Sequence, residues 1–132
     1  MSRVKEMLLK VHPIASKTDK TVFESWFDWV AYHGLTSVVQ DLDGNLLSIC
    51  MARPVSSLED AVSNHYTVDR EGSFVYVDFA WCRHEKAWPM IFDDFKKKIG
   101  IREWIGFCRS QKHGHLRKYK MSQFMERFYG RR

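Results

Sequence analysis

Phe74-Val75-Tyr76-Val77-Asp78-Phe79-Ala80-Trp81 runs into the polar stretch Cys82-Arg83-His84-Glu85-Lys86, and then into Ala87 to Ile99 and Gly100. The first segment is almost continuously apolar and aromatic, the pattern of a central strand covered on both faces. Asp78 is its one charged residue. In the last segment Trp88, Ile91, Phe92, Phe95 and Ile99 recur at three- and four-residue steps, which predicts a helix with one buried stripe. Pro89 fits its first turn, and Lys96-Lys97-Lys98 suits the negative C-terminal end of its dipole. Gly100 is a suitable C-cap. Trp104 to Cys108 reads as the next strand, so the unit is strand, helix, strand, able to pair in parallel through a right-handed crossover.

Working outward, Leu46 to Ala52 and Leu35 to Gln40 are apolar runs separated by Asp41-Leu42-Asp43-Gly44-Asn45. Asp-Gly between such runs predicts a hairpin whose turn needs positive φ at Gly44. Val22 to His33 carries Phe23, Trp26, Phe27 and Val30 at helical spacing, with Gly34 as its stop. Val4 to Val11, closed by Pro13, is expected to be a first strand. Arg53 to Gly72 is polar and carries turn residues, so it is expected to link two strands. Beyond Cys108, His113 to Met121 is expected to form a short helix and Gln123 to Tyr129 a final strand. The expected class is α/β, a mixed sheet flanked by helices. The 132 residues make one domain, with 45% hydrophobic and 14% aromatic residues sufficient for a core.

No apolar run approaches a membrane span, and Met1 to His12 is too charged for a signal peptide. Cys50, Cys82 and Cys108 are odd in number and widely spaced, so no disulfide framework is implied and a reduced, cytoplasmic location is expected. The net charge of +5 is uneven. Arg109 to Arg132 holds eight cations and one anion, while the other residues hold thirteen cations and fifteen anions. Such an end suits an anionic partner, an acidic protein or a nucleic acid, or serves as a solvated tail. Within it Tyr119, Phe124, Phe128 and Tyr129 alternate with cations, a pattern open to single strands, although no recognised nucleic-acid motif is present.

The order of elements resembles the GCN5-related N-acetyltransferase (GNAT) superfamily. The central strand, the loop Cys82 to Ala87 and the following helix match in order, although the loop lacks the glycines of the family's Gln/Arg-x-x-Gly-x-Gly/Ala motif. Further on, Leu116, Tyr119 and Phe124 match the family's last helix and strand in type and spacing, while Lys112, His115, Met121 and Gln123 depart. Trp104 to Ser110 with His115-Leu116-Arg117 also resembles short acetyltransferase-like proteins of tailed phages.

The resemblance implies acetyl transfer from acetyl-CoA, or another acyl-CoA, to a primary amine such as a protein lysine. Its implied cofactor residues are Phe79, Ala80 and Trp81 on the strand, Arg83, His84, Glu85, Lys86 and Ala87 at the helix start, and Ser110. A helix N-terminus offers free N–H groups and a positive dipole end to the pyrophosphate. Tyr119 is the implied proton donor to the departing thiolate, or a packed helix-end residue. Asp78 is a candidate general base whose pKa burial would raise, or a carboxylate satisfied within the fold. No metal is expected, because Cys82, His84, His113 and His115 fit no standard ligand spacing. A homodimer is common in the family. The competing function is a non-catalytic interaction or virion-associated module that docks through the basic C-terminal segment.

Overall fold

The computed structural model describes residues 20–33, 35–108 and 116–129. The expected first strand at Val4 to Val11 lies outside them, as do Gly34 and Ser110. The first described helix, α1, spans Lys20–Tyr32 and buries Phe23, Phe27 and Val30, three members of the anticipated stripe. The hairpin follows with β1 at Thr36–Gln40 and β2 at Leu46–Val55. Its turn closes on the Asp41 carboxylate, which accepts from the N–H groups of Asp43 and Asn45 at 2.9 and 2.8 Å. Those bonds, the Asn45 backbone first, hold the Asp41 pKa below its usual value. Gly44 has φ 83°, the conformation that made glycine necessary there.

Strand β2 runs three residues further than the sequence suggests, through Arg53, Pro54 and Val55. Pro54 is tolerated because its carbonyl accepts from Asp69 N–H at 2.8 Å, on the side away from β3. Its missing N–H therefore falls where no ladder donor is required. The segment from Ser56 to Gly72 is more than a link. Ser57 caps a short helix, α2 (Leu58–Ser63), by accepting from Asp60 N–H, and Glu59 and Asp60 favour the positive end of its dipole.

β3 (Phe74–Cys82), a 3₁₀ turn at Glu85–Ala87, α3 (Trp88–Lys98) and β4 (Trp104–Cys108) complete the crossover unit. β3 and β4 pair in parallel from Phe74 opposite Trp104 to Val77 opposite Phe107. Gly100 ends α3 at φ 86°. The last two elements reverse the expected order. Leu116–Lys120 is a strand, β5, antiparallel to β4, and Met121–Tyr129 is a helix, α4. The helix expected at His113 to Met121 and the strand expected at Gln123 to Tyr129 are thus corrected. Met121, Phe124 and Met125 stand at helical spacing, and two of them are fully buried against the sheet. Leu116 to Lys120 carries three exposed cations, so as an edge strand it lacks the alternation that marks a half-buried one.

The five strands described stand in the order β1-β2-β3-β4-β5, antiparallel except for β3 and β4. Helices flank both faces. α3 and α4 bring Phe92 and Phe124 to the face of Phe107 and Tyr119. On the other face Leu58 of α2 packs over Gly106. α1 is tied to the segment after α2 by Trp26, whose indole N–H donates to the His65 carbonyl at 3.0 Å. Among the described residues no helix is long and apolar enough to cross a membrane.

Candidate functional site

β3 outruns its parallel partner. Beyond Val77 its residues Phe79 to Cys82 pair, among the described residues, only with β2. The ladder to β2 slips by one residue between Met51 and Ala52, leaving Asp78 without an opposite number. Such a bulge bends the strand and re-aims the side chain at the extra position. The strand therefore leaves β4 at Asp78 and continues to the start of α3.

The turn at that point takes ordinary backbone conformations. No non-glycine residue among those described has positive φ, and His84 is extended at φ −134°. The loop is thus not the αR-αL nest that glycines make in phosphate loops. Its donors come from the helical turn itself: the N–H groups of Glu85 and Lys86 open the run and have no intrahelical acceptor. Arg83, His84, Glu85 and Lys86 are exposed, while Ala87 is buried and seats the turn on the core. Arg83 N–H donates to the Leu47 carbonyl at 2.7 Å, extending the β2–β3 ladder up to the turn. The Cys82 thiol bonds to the His84 carbonyl inside the turn, and partial burial raises its pKa. Ala80 is exposed and Trp81 half-buried on the strand end. The implied cofactor residues from Ala80 to Ala87 are therefore contiguous, at one end of β3; Ser110 lies outside the described residues.

The two candidate acid–base residues are held elsewhere. Asp78 accepts from Arg53 Nε and Nη2, both at 2.8 Å, in a bidentate ion pair of which Arg53 is 0% and Asp78 5% exposed. Burial pushes the Asp78 carboxyl up, to about 6, and the Arg53 hydrogen bonds and charge pull the other way. Both carboxylate oxygens are engaged, so proton abstraction from a substrate would break this pair. The remaining Arg53 donors go to the carbonyls of Ala61, Asn64 and Thr67 at 2.8 to 2.9 Å. All five guanidinium N–H groups are thereby used, and the arginine holds α2 and the loop after it against the sheet.

Tyr119 lies on β5, opposite Ile105, and not on a helix. Its ring stacks on Phe107 with centroids 5.8 Å apart and leans on Phe124 at 5.7 Å. Phe124 continues the contact to Phe92, and Phe92 to Trp88. The row Trp88, Phe92, Phe124, Phe107, Tyr119 is the packing between α3, α4 and the sheet. Replacing Tyr119 by Phe keeps these ring contacts, and thermal melts are expected to agree with the parent within about 1 kcal/mol. Replacing it by Ala removes them and is expected to cost about 3 kcal/mol. A large loss from the phenylalanine variant would mean that the hydroxyl has a partner this packing does not require.

Cys50 is fully buried, and desolvation pushes its thiol up to about 12, with Asp78 adding to the shift. Burial of this kind disfavours the thiolate, the nucleophilic form. Among the described residues no three His, Cys, Asp or Glu side chains gather as a metal site would need. Arg53, expected from the sequence to open a polar link, is instead fully buried. A lone arginine beside a proline looks like surface, and three of its partners are backbone carbonyls that no motif encodes. Comparison with protein-family models, with curated proteins and with solved structures finds no match to this chain.

Proposed function

We propose that the chain is a GNAT-like acyl-CoA-dependent N-acyltransferase. The observation that supports this is the parallel β3–α3–β4 crossover, in which β3 bulges at Asp78, outruns β4 and ends at the first turn of α3. A strand edge of this kind offers backbone N–H and C=O groups to an amide-bearing arm such as pantetheine. The Glu85 and Lys86 N–H groups and the exposed Arg83 and Lys86 side chains suit a pyrophosphate. Acyl-CoA supplies the thioester, and the acceptor is a primary amine such as a protein lysine. Asp78 and Tyr119 hold structure in this reading. Transfer rests on bringing amine and thioester together, which alone lowers a bimolecular barrier substantially. Protons exchange with water.

The commitment of both Asp78 and Tyr119 to packing favours a second reading, in which the scaffold binds without catalysing and serves as an interaction module.

A melt with millimolar acetyl-CoA or CoA tests the binding. Saturation at about a hundred times the dissociation constant adds ~2.7 kcal/mol, a rise on the order of ten degrees for a chain of this size. Arg83→Glu with Lys86→Glu is expected to abolish most of that rise. Acetylation of a polyamine or a lysine peptide then separates enzyme from binder. An unmoved melt would overturn both the transferase reading and any CoA-binding role.

A further inference from the structure

At the other end of the sheet, Trp104 opens β4 and is paired laterally with Phe74 on β3 and Lys120 on β5. Residues opposite one another share a face, so Phe74, Trp104 and Lys120 form one row and Gly106 and Lys118 lie in the next. Phe74 and Trp104 are half-buried, and Lys118 and Lys120 are exposed. The Lys118 ammonium sits 4.6 Å from the Trp104 ring centroid and that of Lys120 at 6.0 Å. Neither lysine has a carboxylate partner among the described residues. Among the described strands the one that carries them is the edge of the sheet, and it belongs to the segment with eight cations and one anion.

We propose that this surface, Trp104 with Phe74 beside it and Lys118 and Lys120 over it, binds single-stranded nucleic acid. An aromatic ring on a sheet face gives a base a stacking platform, and flanking ammonium groups track the phosphates. In the free protein the lysines cover the indole. An exposed cation–π contact is weak, whereas base stacking on an aromatic ring is stronger, so exchanging lysine for base and moving the ammonium to a phosphate is favourable. The structure also redraws which aromatics are available. Tyr119 stacks on Phe107 and Phe124 tilts against it, with Arg127 6.0 Å from the Tyr119 ring centroid, while Trp104, outside the basic segment in sequence, carries two lysines, the nearer at 4.6 Å. An acidic protein segment would use the lysines and leave the indole without a role.

The site is separate from the proposed cofactor end, since Phe74 and Cys82 are opposite ends of β3, roughly 26 Å apart along an extended strand. The test is fluorescence anisotropy of labelled oligo-dT and oligo-U across a salt series. The parent is expected to bind at low salt and to release as salt rises. Lys118→Glu with Lys120→Glu is expected to weaken binding at least tenfold and to lower the salt slope by about 1.4, two phosphates' worth for a single strand. Trp104→Leu is expected to weaken binding about tenfold with the slope kept. Lys96→Glu with Lys97→Glu, the same charge change on α3, is expected to have little effect. The proposal is overturned if the parent does not bind, if the α3 control loses as much, or if poly-glutamate of matched charge competes as well as the oligonucleotide.

Discussion

Arg53→Met is expected to destabilise the protein by about 3–5 kcal/mol, the cost of stranding a buried charge. In a urea titration the midpoint falls with little change in slope, and the thermal midpoint drops by ten degrees or more. The reason is the number of groups that lose a donor: the Asp78 carboxylate loses two, and the carbonyls of Ala61, Asn64 and Thr67 lose one each, with Asn64 keeping the Thr67 N–H at 3.2 Å. Arg53→Lys does not rescue, because one ammonium cannot span a planar fork of five donors. Arg53→Met combined with Asp78→Leu recovers the part due to the stranded carboxylate and leaves the three carbonyls uncompensated. A single Arg53→Met variant within about 1 kcal/mol of the parent would contradict this account of the guanidinium.

Gly72→Ala is expected to be far more damaging than Gly106→Ala, costing about 3 kcal/mol or more. A Cβ there would lie 2.1 Å from the Val55 carbonyl oxygen, 2.3 Å from its carbon and 2.8 Å from Ser56 N. These are backbone atoms at the end of β2 and cannot swing aside. Gly72 also accepts from Arg102 Nη1 at 2.8 Å, a guanidinium that further reaches the carbonyls of Arg70 and Ile99. Displacing Gly72 therefore loosens the end of α3 as well. At Gly106 the added carbon would meet the Leu58 methyls at 2.7 and 2.9 Å, side-chain ends that can shift, and the Arg117 carbonyl oxygen at 3.1 Å, which must give by a few tenths of an ångström. Gly106→Ala is expected to cost about 1 kcal/mol, and the order of the two in urea melts is the check.

The hairpin, β3, α3 and β4 were legible because each carries a strong local pattern. Gly44 had to be the turn, and Trp88, Ile91, Phe92 and Phe95 had to share a face. What escaped lies where side chains are polar yet interior. Arg53 ends up 0% exposed because Asp78, twenty-five residues away, and three carbonyls converge on it. Ser57 and the Asp60 N–H form a cap within Arg53 to Gly72, whose polar and turn residues read as a link. At the C-terminal end the cations of β5 masked a strand, while Met121, Phe124 and Met125 already had helical spacing. The candidate site was legible as a contiguous stretch, Ala80 to Ala87. The packing of Asp78 against Arg53 and of Tyr119 against Phe107 was not, because both depend on neighbours remote in sequence.

The most direct test of the proposed cofactor end is amide hydrogen exchange with and without saturating CoA. The account predicts slower exchange confined to Asp78 to Lys86, the β3 end and the turn before α3, with Arg83→Glu and Lys86→Glu together removing it. Unchanged exchange there, or protection centred elsewhere in the fold, would contradict the account.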